Sequence, residues 1–224
     1  MSITSTGYAG DVDAAEWAKT IPRVGASTYG VDSLADWAIT AAAGTRNIQI
    51  AAGSGWGHGV RDVLSAAVVL SLPAAASGVR WWLIVARRTW AANTTSFELV
   101  DAGSVAAIPT RNENPGMIDD QPLALVRVTT GAAIAEIKDL RVVAHDGGLL
   151  AFDDLTLTYM NRPGTVLRIG LVQWRRWIDA TGSPQWEKSG ESTGWADGTK
   201  NTGWTWTSAT FAVKKVGGVV FGKV

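Results

Sequence analysis

The chain has 224 residues, of which 46% are apolar, and this size suits one large β domain or two small domains with a hydrophobic core. Its 20 basic and 20 acidic residues cancel, which argues against nucleic-acid binding through phosphate contacts and against a polybasic membrane-surface segment. The absence of cysteine excludes disulfides, zinc fingers and thiol nucleophiles, and two histidines are too few for a multi-histidine metal site.

The first quarter of the chain combines a helical segment with a strand. Residues 11–20, DVDAAEWAKT, predict a short helix that ends before Ile-Pro. Residues 46–53 alternate, which predicts a half-buried strand with Ile48 and Ile50 on its buried face. The glycine-rich segment 53–59, GSGWGHG, is interpreted as a loop.

The middle of the chain predicts several strands. Residues 63–72 are apolar and fit strand or helix, with strand favoured. Residues 79–90, VRWWLIVARRTW, are apolar on both faces and predict a central strand, which pairs in a hairpin with 96–103. Residues 109–122 are interpreted as an exposed loop, and 123–131 as another buried strand.

The last third adds further strands. Residues 132–144 fit helix or strand, and their place between strands favours β. Residues 149–164 fit a short helix or a connecting strand. Residues 165–189 predict a long hairpin that turns at ATGSP (180–184), and 202–224 predict at least one more pair of strands.

These elements predict a mainly β protein. It has an antiparallel β-sandwich-like domain with one or two short helices, followed by a smaller tryptophan-rich β module. We expect an N-terminal arm with a short helix at 1–22, a β-rich domain at 23–148, a connector at 149–163 and the tryptophan-rich module at 164–224, with the main break near HDGG (145–148).

Few motifs indicate chemistry. GSGWGHG lacks the third glycine of the dinucleotide fingerprint, so a tight turn is favoured, and His58 and His145 are interpreted as loop residues. The pairs Asp119-Asp120 and Asp153-Asp154 are interpreted as turn caps, because adjacent residues of an extended chain point to opposite faces and do not form a catalytic dyad. We predict no catalytic residue, no metal site and no cofactor.

Twelve tryptophans are the strongest signal in the sequence. Four of them stand in apolar or arginine-flanked strands and are predicted to pack in the core: Trp81, Trp82, Trp174 and Trp177. Arg175 and Arg176 are candidates to stack on indoles of neighbouring strands. Four more stand among small polar residues, where packing, a subunit interface and a glycan-binding platform all remain open: Trp186, Trp195, Trp204 and Trp206.

Several stretches between residues 11 and 178 resemble a family of small tail proteins of long-tailed phages, especially phages of actinobacteria. They are DVDAAEWAK, NIQIAAGSGWGHGVRDV, WWLIVARRTWAANTTSFELV, PGMIDDQPLALVRV and IKDLRVV. An RR-x-W-x-x-N-T-T-S hairpin followed by D-Q-P-L-A-L-V-x-V is the more specific part. TVLRIGLVQWRRWIDATGSPQWEKS is similar to a segment that often follows, and NTGWTWTSATFAVKKVGGVVFGKV looks like the start of a tail-fibre tip module.

The resemblance implies a virion protein of the distal tail or baseplate, made in the host cytoplasm and homotrimeric, that helps the phage attach to its host. Residues 23–148 would dock onto other tail proteins, and the tryptophan-rich module would contact cell-surface glycan. Neither a signal peptide nor a membrane-inserted segment is predicted, because the N-terminus lacks an apolar core segment and the apolar region 63–86 is interrupted.

Two alternatives differ in class. The chain would be a purely structural protein that bridges other tail components if its tryptophans pack between subunits. It would be a polysaccharide depolymerase if two carboxylates faced each other across a cleft, with Glu187, Glu191 and Asp197 as candidates. No recognisable motif supports the enzyme, so we predict that the protein is not one.

Overall fold

A computed structural model describes residues 3–6, 29–131, 134–145, 148–189, 196–197, 212–216 and 219–223. The chain divides into two compact units, which we call unit 1 (residues 1–161) and unit 2 (residues 162–224). The helix predicted at 11–20 lies outside the described residues. The division between the units falls within the predicted connector 149–163, and the predicted domain bounds themselves stay predictions.

Unit 1 is built almost entirely from short and medium strands. Its elements are β1 (Ile3–Thr6), β2 (Tyr29–Val31), β3 (Ile39–Ala41), β4 (Asn47–Ile50), β5 (Gly53–Gly57), β6 (Val60–Leu64), β7 (Val68–Ser71), β8 (Val79–Thr89), β9 (Thr94–Gly103), β10 (Glu113–Asn114), β11 (Ile118–Thr129), β12 (Ile134–Asp139), β13 (Val143–His145), β14 (Gly148–Ala151) and the helix α1 (Thr156–Tyr159). The predicted mainly β class is confirmed.

The described strands of unit 1 form three sheets. The first sheet has the order β1-β6-β5-β2-β13-β14, the second β3-β4-β7, and the third β10-β11-β8-β9 with β12 also paired to β11. The described pairs are antiparallel except β2 with β13, where Val31 lies beside Val143 and donates its backbone N–H to the Val142 carbonyl oxygen at 2.8 Å. Sequence-distant strands therefore complete the first sheet.

The hydrophobic core of unit 1 draws side chains from all three sheets, which gives the unit its sandwich-like character. Val31 and Leu64 come from the first sheet, Ile48 and Ile50 from the second, and the third contributes the long apolar strands β8 and β11. Both predictions for these segments are confirmed: Ile48 and Ile50 are fully buried, and β8 is central, between β11 and β9. Each such aliphatic side chain stabilises the fold by about 1.5–3 kcal/mol.

The prediction of a loop at 53–59 is wrong. Most of this glycine-rich segment forms strand β5, which lies between β2 and β6. The fully buried indole of Trp37 lies against this strand and donates its Nε1–H to the Gly53 carbonyl oxygen at 3.1 Å. A Cβ atom added at Gly55 would lie 2.2 Å from ring carbons of Trp37. Glycine is therefore required by the close approach of an indole rather than by a turn.

Three other segments refine the predictions. Residues 63–72 contain the end of β6, a break and β7, so strand is right but not continuous. The predicted loop 109–122 is partly wrong, because β10 and the start of β11 lie within it. The segment 149–164 supplies both a strand, β14, and the helix α1, which follows a turn capped by Asp153: its Oδ1 accepts the backbone N–H of Leu155 at 2.9 Å.

The described part of unit 2 contains two sets of antiparallel strands: β15 (Val166–Ile169), β16 (Val172–Ile178) and β17 (Pro184–Ser189), then β18 (Ala196–Asp197), β19 (Ala212–Val216) and β20 (Val219–Lys223). The predicted hairpin of β16 and β17 is confirmed. Asp179 stabilises the turn between β16 and β17, because the Asp179 Oδ1 accepts hydrogen bonds from the backbone N–H groups of Thr181 and Ser183, each at 2.9 Å. The predicted final pair of strands is confirmed by β19 and β20.

The substitution Gly55→Ala tests the packing of Trp37 on β5. We expect it to lower the free energy of unfolding by about 3 kcal/mol, the upper part of the range for an overpacked core, because the added Cβ would lie 2.2 Å from ring carbons of the fully buried Trp37. Urea unfolding measures the effect. In a Trp37→Leu background the same substitution should cost much less, and equal costs in the two backgrounds would contradict the steric explanation.

Candidate functional site

Trp186 is the one predicted glycan contact whose side chain the structure describes. It lies on β17, directly opposite Arg176 of β16, and is half-buried. The Arg176 guanidinium carbon lies 5.4 Å from the centroid of the Trp186 ring. The prediction that an arginine stacks on an indole of the neighbouring strand is therefore confirmed for Arg176, and the cation occupies one face of the indole.

A second cation–π pair adjoins the first. Trp174 of β16 lies opposite Lys188 of β17, with the Lys188 Nζ 4.8 Å from the ring centroid. Because residues two apart on a strand share a face, both pairs lie on the same side of the hairpin, and each strand contributes one indole and one cation. We call this surface the cation–indole face: Trp174, Arg176, Trp186 and Lys188.

Trp177 lies on the opposite side of the hairpin, and its predicted place in the core is wrong. Its side chain is 41% exposed, and its neighbours on that side, Arg175 and Gln185, are also exposed. The nearby Ile178 and Leu171 are 45% and 87% exposed. An alternating strand indicates that two faces exist but not which one is covered, so the pattern alone misassigned Trp177.

Trp195, Trp204 and Trp206 lie outside the described residues, as do Glu191 and the side chain of Asp197. Glu187 is exposed on β17 opposite Arg175. The structure therefore brings Trp186 together with Trp174 and two cations, a set that the sequence did not assemble.

Unit 1 contains a buried ionic network that the sequence analysis missed. Asp62 of β6 and Arg88 of β8 are both fully buried, and Arg88 donates from Nε to Asp62 Oδ2 at 2.8 Å. Arg88 also donates from Nη2 to Gln121 Oε1 at 2.8 Å. The hydroxyls of Ser5 and Thr95 donate to Asp62 Oδ1 at 2.6 and 2.7 Å. These bonds offset the cost of burying two charges and link the first sheet to the third.

A glycine makes room for this network. A Cβ atom at Gly57 would lie 2.5 Å from Arg88 Nη1, so the guanidinium occupies the space that a side chain there would fill. Gln121 also donates from Nε2 to the Gly30 carbonyl oxygen at 3.2 Å, which ties β11 to β2. The signals in the sequence were a charged residue within the alternation VRDVL and two adjacent arginines that end an apolar strand.

His58 occupies the tight turn between β5 and β6, as the sequence predicted, with a positive φ of 49°. Its Nε2 lies 3.3 Å from Oδ2 of Asp119, which is buried at the start of β11. The imidazole packs edge-on against Tyr29 and Trp90, at ring separations of 6.1 and 6.5 Å. Among the described residues, this histidine therefore meets a carboxylate and two aromatic rings.

Tyr29, which contacts His58, stacks in turn on a second buried tyrosine. Tyr29 and Tyr159 stack at 5.8 Å, and the Arg111 Nη2 donates to the Tyr29 hydroxyl oxygen at 3.3 Å. Burial raises the pKa of Tyr29 and of Tyr159 above the usual range, and Arg111 only partly opposes this effect. Both phenols therefore remain protonated at physiological pH, and neither is suited to act as a general base.

The prediction that Asp119 and Asp120 cap a turn is wrong, because both lie in β11 and are buried. Arg87 donates to Asp120 twice, from Nε to Oδ1 at 2.7 Å and from Nη2 to Oδ2 at 2.9 Å. The backbone N–H of Asn112 donates to Oδ2 at 3.0 Å. Burial alone would raise the pKa of Asp120, but the hydrogen bonds from Arg87 and Asn112 outweigh it and hold that pKa below the usual value of 3.8.

Neither a metal centre nor a membrane span emerges from the described part of the chain. It contains no group of three or more His, Asp or Glu side chains placed to hold an ion. None of its helices is long and apolar enough to cross a membrane.

Comparisons with known protein families, with curated proteins and with solved structures find no match to this chain.

The pairing of Asp120 predicts a specific pH dependence. A carboxyl whose pKa is lowered by folding contributes stability above its unfolded pKa, and that contribution disappears as the pH falls through the lowered folded value. We expect Asp120→Asn to lower the free energy of unfolding at neutral pH by about 1–3 kcal/mol. The deficit should shrink as the pH falls below 3.8, the usual aspartate pKa.

Urea unfolding of the wild type and the variant between neutral pH and pH near 3 measures this difference. The exposed Asp154→Asn serves as the matched control, and we expect it to follow the wild type. A deficit for Asp120→Asn that stays constant with pH would contradict the assigned ion pair.

Proposed function

We propose that this protein belongs to the distal tail or baseplate of a long-tailed phage of actinobacteria. It acts there as a homotrimer that helps attach the virion to the host, with unit 2 contacting cell-wall glycan. The proposal includes no catalytic step and no cofactor. The assignment to the class of phage tail proteins rests on the resemblance of residues 11–178 and of the C-terminal stretches to such proteins.

The two parts of the most specific resembling pattern contact each other in the third sheet, which supports reading them as one structural unit. The RR-x-W-x-x-N-T-T-S segment forms the end of β8, the turn and the start of β9, and the D-Q-P-L-A-L-V-x-V segment lies in β11. Arg87 pairs with Asp120 and Arg88 with Gln121. The most distinctive polar residues of the pattern thus hold neighbouring strands together.

The arrangement of aromatic side chains on the β16–β17 hairpin is the observation that best supports a role in attachment to the host. Trp174 and Trp186 are held in place by Lys188 and Arg176 on one side, and Trp177 is exposed on the other. Flat indoles suit the weakly hydrated faces of sugars, and nearby cations suit anionic substituents of cell-wall polymers. A two-stranded antiparallel scaffold keeps these groups at fixed spacing.

A purely structural role is the second candidate, and one observation favours it. Trp177 and Ile178 are adjacent exposed apolar side chains at the end of the short strand β16. Exposed apolar groups that lie close together often mark a contact with another chain. In that case the hairpin would pack against another subunit or another tail protein, and a different chain would bind the host.

Binding to host cells separates the two candidates. Purified, labelled full-length protein is applied to cells from a panel of actinobacteria, together with cell-wall polysaccharide isolated from them as competitor. We expect Trp177→Ala and Trp186→Ala to weaken binding about tenfold each, as the loss of about 1.4 kcal/mol of stacking would. Phe152→Ala, which removes an exposed aromatic side chain of unit 1, is the control and should bind normally.

Light scattering of every variant gives the oligomeric state, and we expect a mass three times that of the 23.6 kDa chain. A monomeric wild type would overturn the trimer. A folded wild type that binds no strain would overturn attachment and favour the structural role. Loss of the trimer in Trp177→Ala would place that indole in a subunit contact rather than a glycan site.

A further inference from the structure

The zero net charge of the chain conceals an uneven distribution of charge. Unit 2 contains nine basic and four acidic residues, a net charge of +5, whereas unit 1 contains eleven basic and sixteen acidic residues, a net charge of −5. A local excess of one sign attracts ligands of the opposite sign even where the whole chain is neutral. An anionic ligand is therefore expected at unit 2 rather than at unit 1.

The two faces of the sheet formed by β15, β16 and β17 differ in exposure. Leu167 of β15 is fully buried and lies opposite Trp174, on the side of the cation–indole face. The opposite side carries exposed side chains from all three strands, interrupted only by the half-buried Val166. We call this surface the open face: Arg168, Gln173, Arg175, Trp177, Gln185 and Glu187.

Two arginines of the open face are diagonal neighbours on paired strands. Arg168 lies opposite Gln173, and Arg175 is two residues further along β16. Diagonal neighbours of this kind lie about 7–8 Å apart, so long guanidinium side chains can converge on one carboxylate or phosphate group. Arg168 donates from Nε to the Gly170 carbonyl oxygen at 3.2 Å, a bond that leaves its Nη groups for a ligand.

Glu187 is the one acidic residue of the open face. It is exposed on β17 directly opposite Arg175, yet within the described part of the chain the two side chains form no ion pair with each other. Two cations and one carboxylate leave this face positively charged. An anion bound between Arg168 and Arg175 would relieve the repulsion between them, whereas the Glu187 carboxylate would oppose the binding of that anion.

Trp177 provides a flat apolar surface beside the arginines. It lies two residues beyond Arg175 on the same side of β16 and is 41% exposed. Among the described residues, no cation stacks on its ring, in contrast to the two indoles of the cation–indole face. Gln185, opposite Trp177, donates from Nε2 to Asp179 Oδ2 at 3.2 Å, so its amide oxygen is oriented as an acceptor for a sugar hydroxyl.

We propose that the open face binds an anionic glycan, with a carboxylate or phosphate group held between Arg168 and Arg175 and a sugar ring stacked on Trp177. This inference rests on the attachment function proposed above and names the chemistry of the polymer. A neutral glycan would leave the two neighbouring cations uncompensated. A nucleic acid is disfavoured, because its closely spaced phosphates would meet the Glu187 carboxylate, whereas uncharged hydroxyls separate the acidic groups of a glycan.

Binding of fractionated cell-wall polysaccharide to the full-length protein tests the proposal. Polysaccharide from the panel of actinobacteria is separated by anion exchange into acidic and neutral fractions, and biolayer interferometry measures the dissociation constant of each. We expect the acidic fraction to bind about tenfold more tightly than the neutral one, and its binding to weaken as salt is added. Chemical reduction of carboxyl groups and removal of phosphate with hydrofluoric acid, each on a separate portion and both on a third, show which anionic group is bound.

Substitutions on the open face locate the binding site. Arg168→Gln and Arg175→Gln should each weaken binding of the acidic fraction about tenfold, as the loss of a charge-assisted hydrogen bond would. Arg162→Gln removes the same charge from an exposed position before β15 and should bind like the wild type. Glu187→Gln should strengthen binding by about two- to fivefold, a gain that a merely structural role would not produce. All four side chains are exposed, so we expect unchanged melting temperatures.

Several results would overturn the anionic site. These are a wild type that binds neither fraction or binds both equally, binding that survives the removal of both anionic groups, an equal loss in Arg162→Gln, and equally tight binding of duplex DNA. Binding to whole cells keeps the two proposals apart. A protein that binds cells and only the neutral fraction retains attachment and loses the anionic site. A protein that binds the acidic fraction as expected but no cells retains the site and loses attachment.

Discussion

The buried pair of Asp62 and Arg88 is the interaction on which the architecture of unit 1 depends. Removing two charges from water is costly, and the cost is offset only if nearly every polar atom finds a partner. Ser5 and Thr95 donate hydrogen bonds to the Asp62 carboxylate, and Gln121 accepts a hydrogen bond from a second guanidinium nitrogen of Arg88. Because these partners come from β1, β6, β8, β9 and β11, the pair can form only when the first and third sheets are correctly aligned.

Two adjacent arginines, Arg87 and Arg88, bind carboxylates on opposite faces of the third sheet. Neighbouring residues of a strand point to opposite sides, so Arg88 turns toward the buried network and Arg87 turns toward Asp120 on the other side. Asp120 in turn accepts the backbone N–H of Asn112 and so anchors the segment before β11. One dipeptide therefore stabilises both the sandwich core and the outer surface of the sheet.

The sequence predicted those elements whose pattern depends on local neighbours. Alternation identified β4, and continuous apolar runs identified β8 and β11. The sequence pattern misassigned residues whose environment is set by distant parts of the chain. Gly55 faces Trp37, and the partner of Asp120 lies 33 residues away. The buried ionic network was harder still to predict, because hydroxyls such as those of Ser5 and Thr95 have no signature in the sequence that marks them as partners of Asp62.

The parallel pairing of β2 with β13 has a consequence for how the chain acquires its structure. β2 obtains its second neighbour only from residues near 143, and Arg141 donates to the Leu34 carbonyl oxygen across a separation of 107 residues. Contacts between residues so far apart in the sequence require the entropy of closing a long loop before they stabilise the fold. Folding of unit 1 should therefore be slow and strongly cooperative. During synthesis, the apolar strands near the N-terminus must wait for their partners until most of the unit has emerged, and in that interval their unpaired edges are exposed to aggregation.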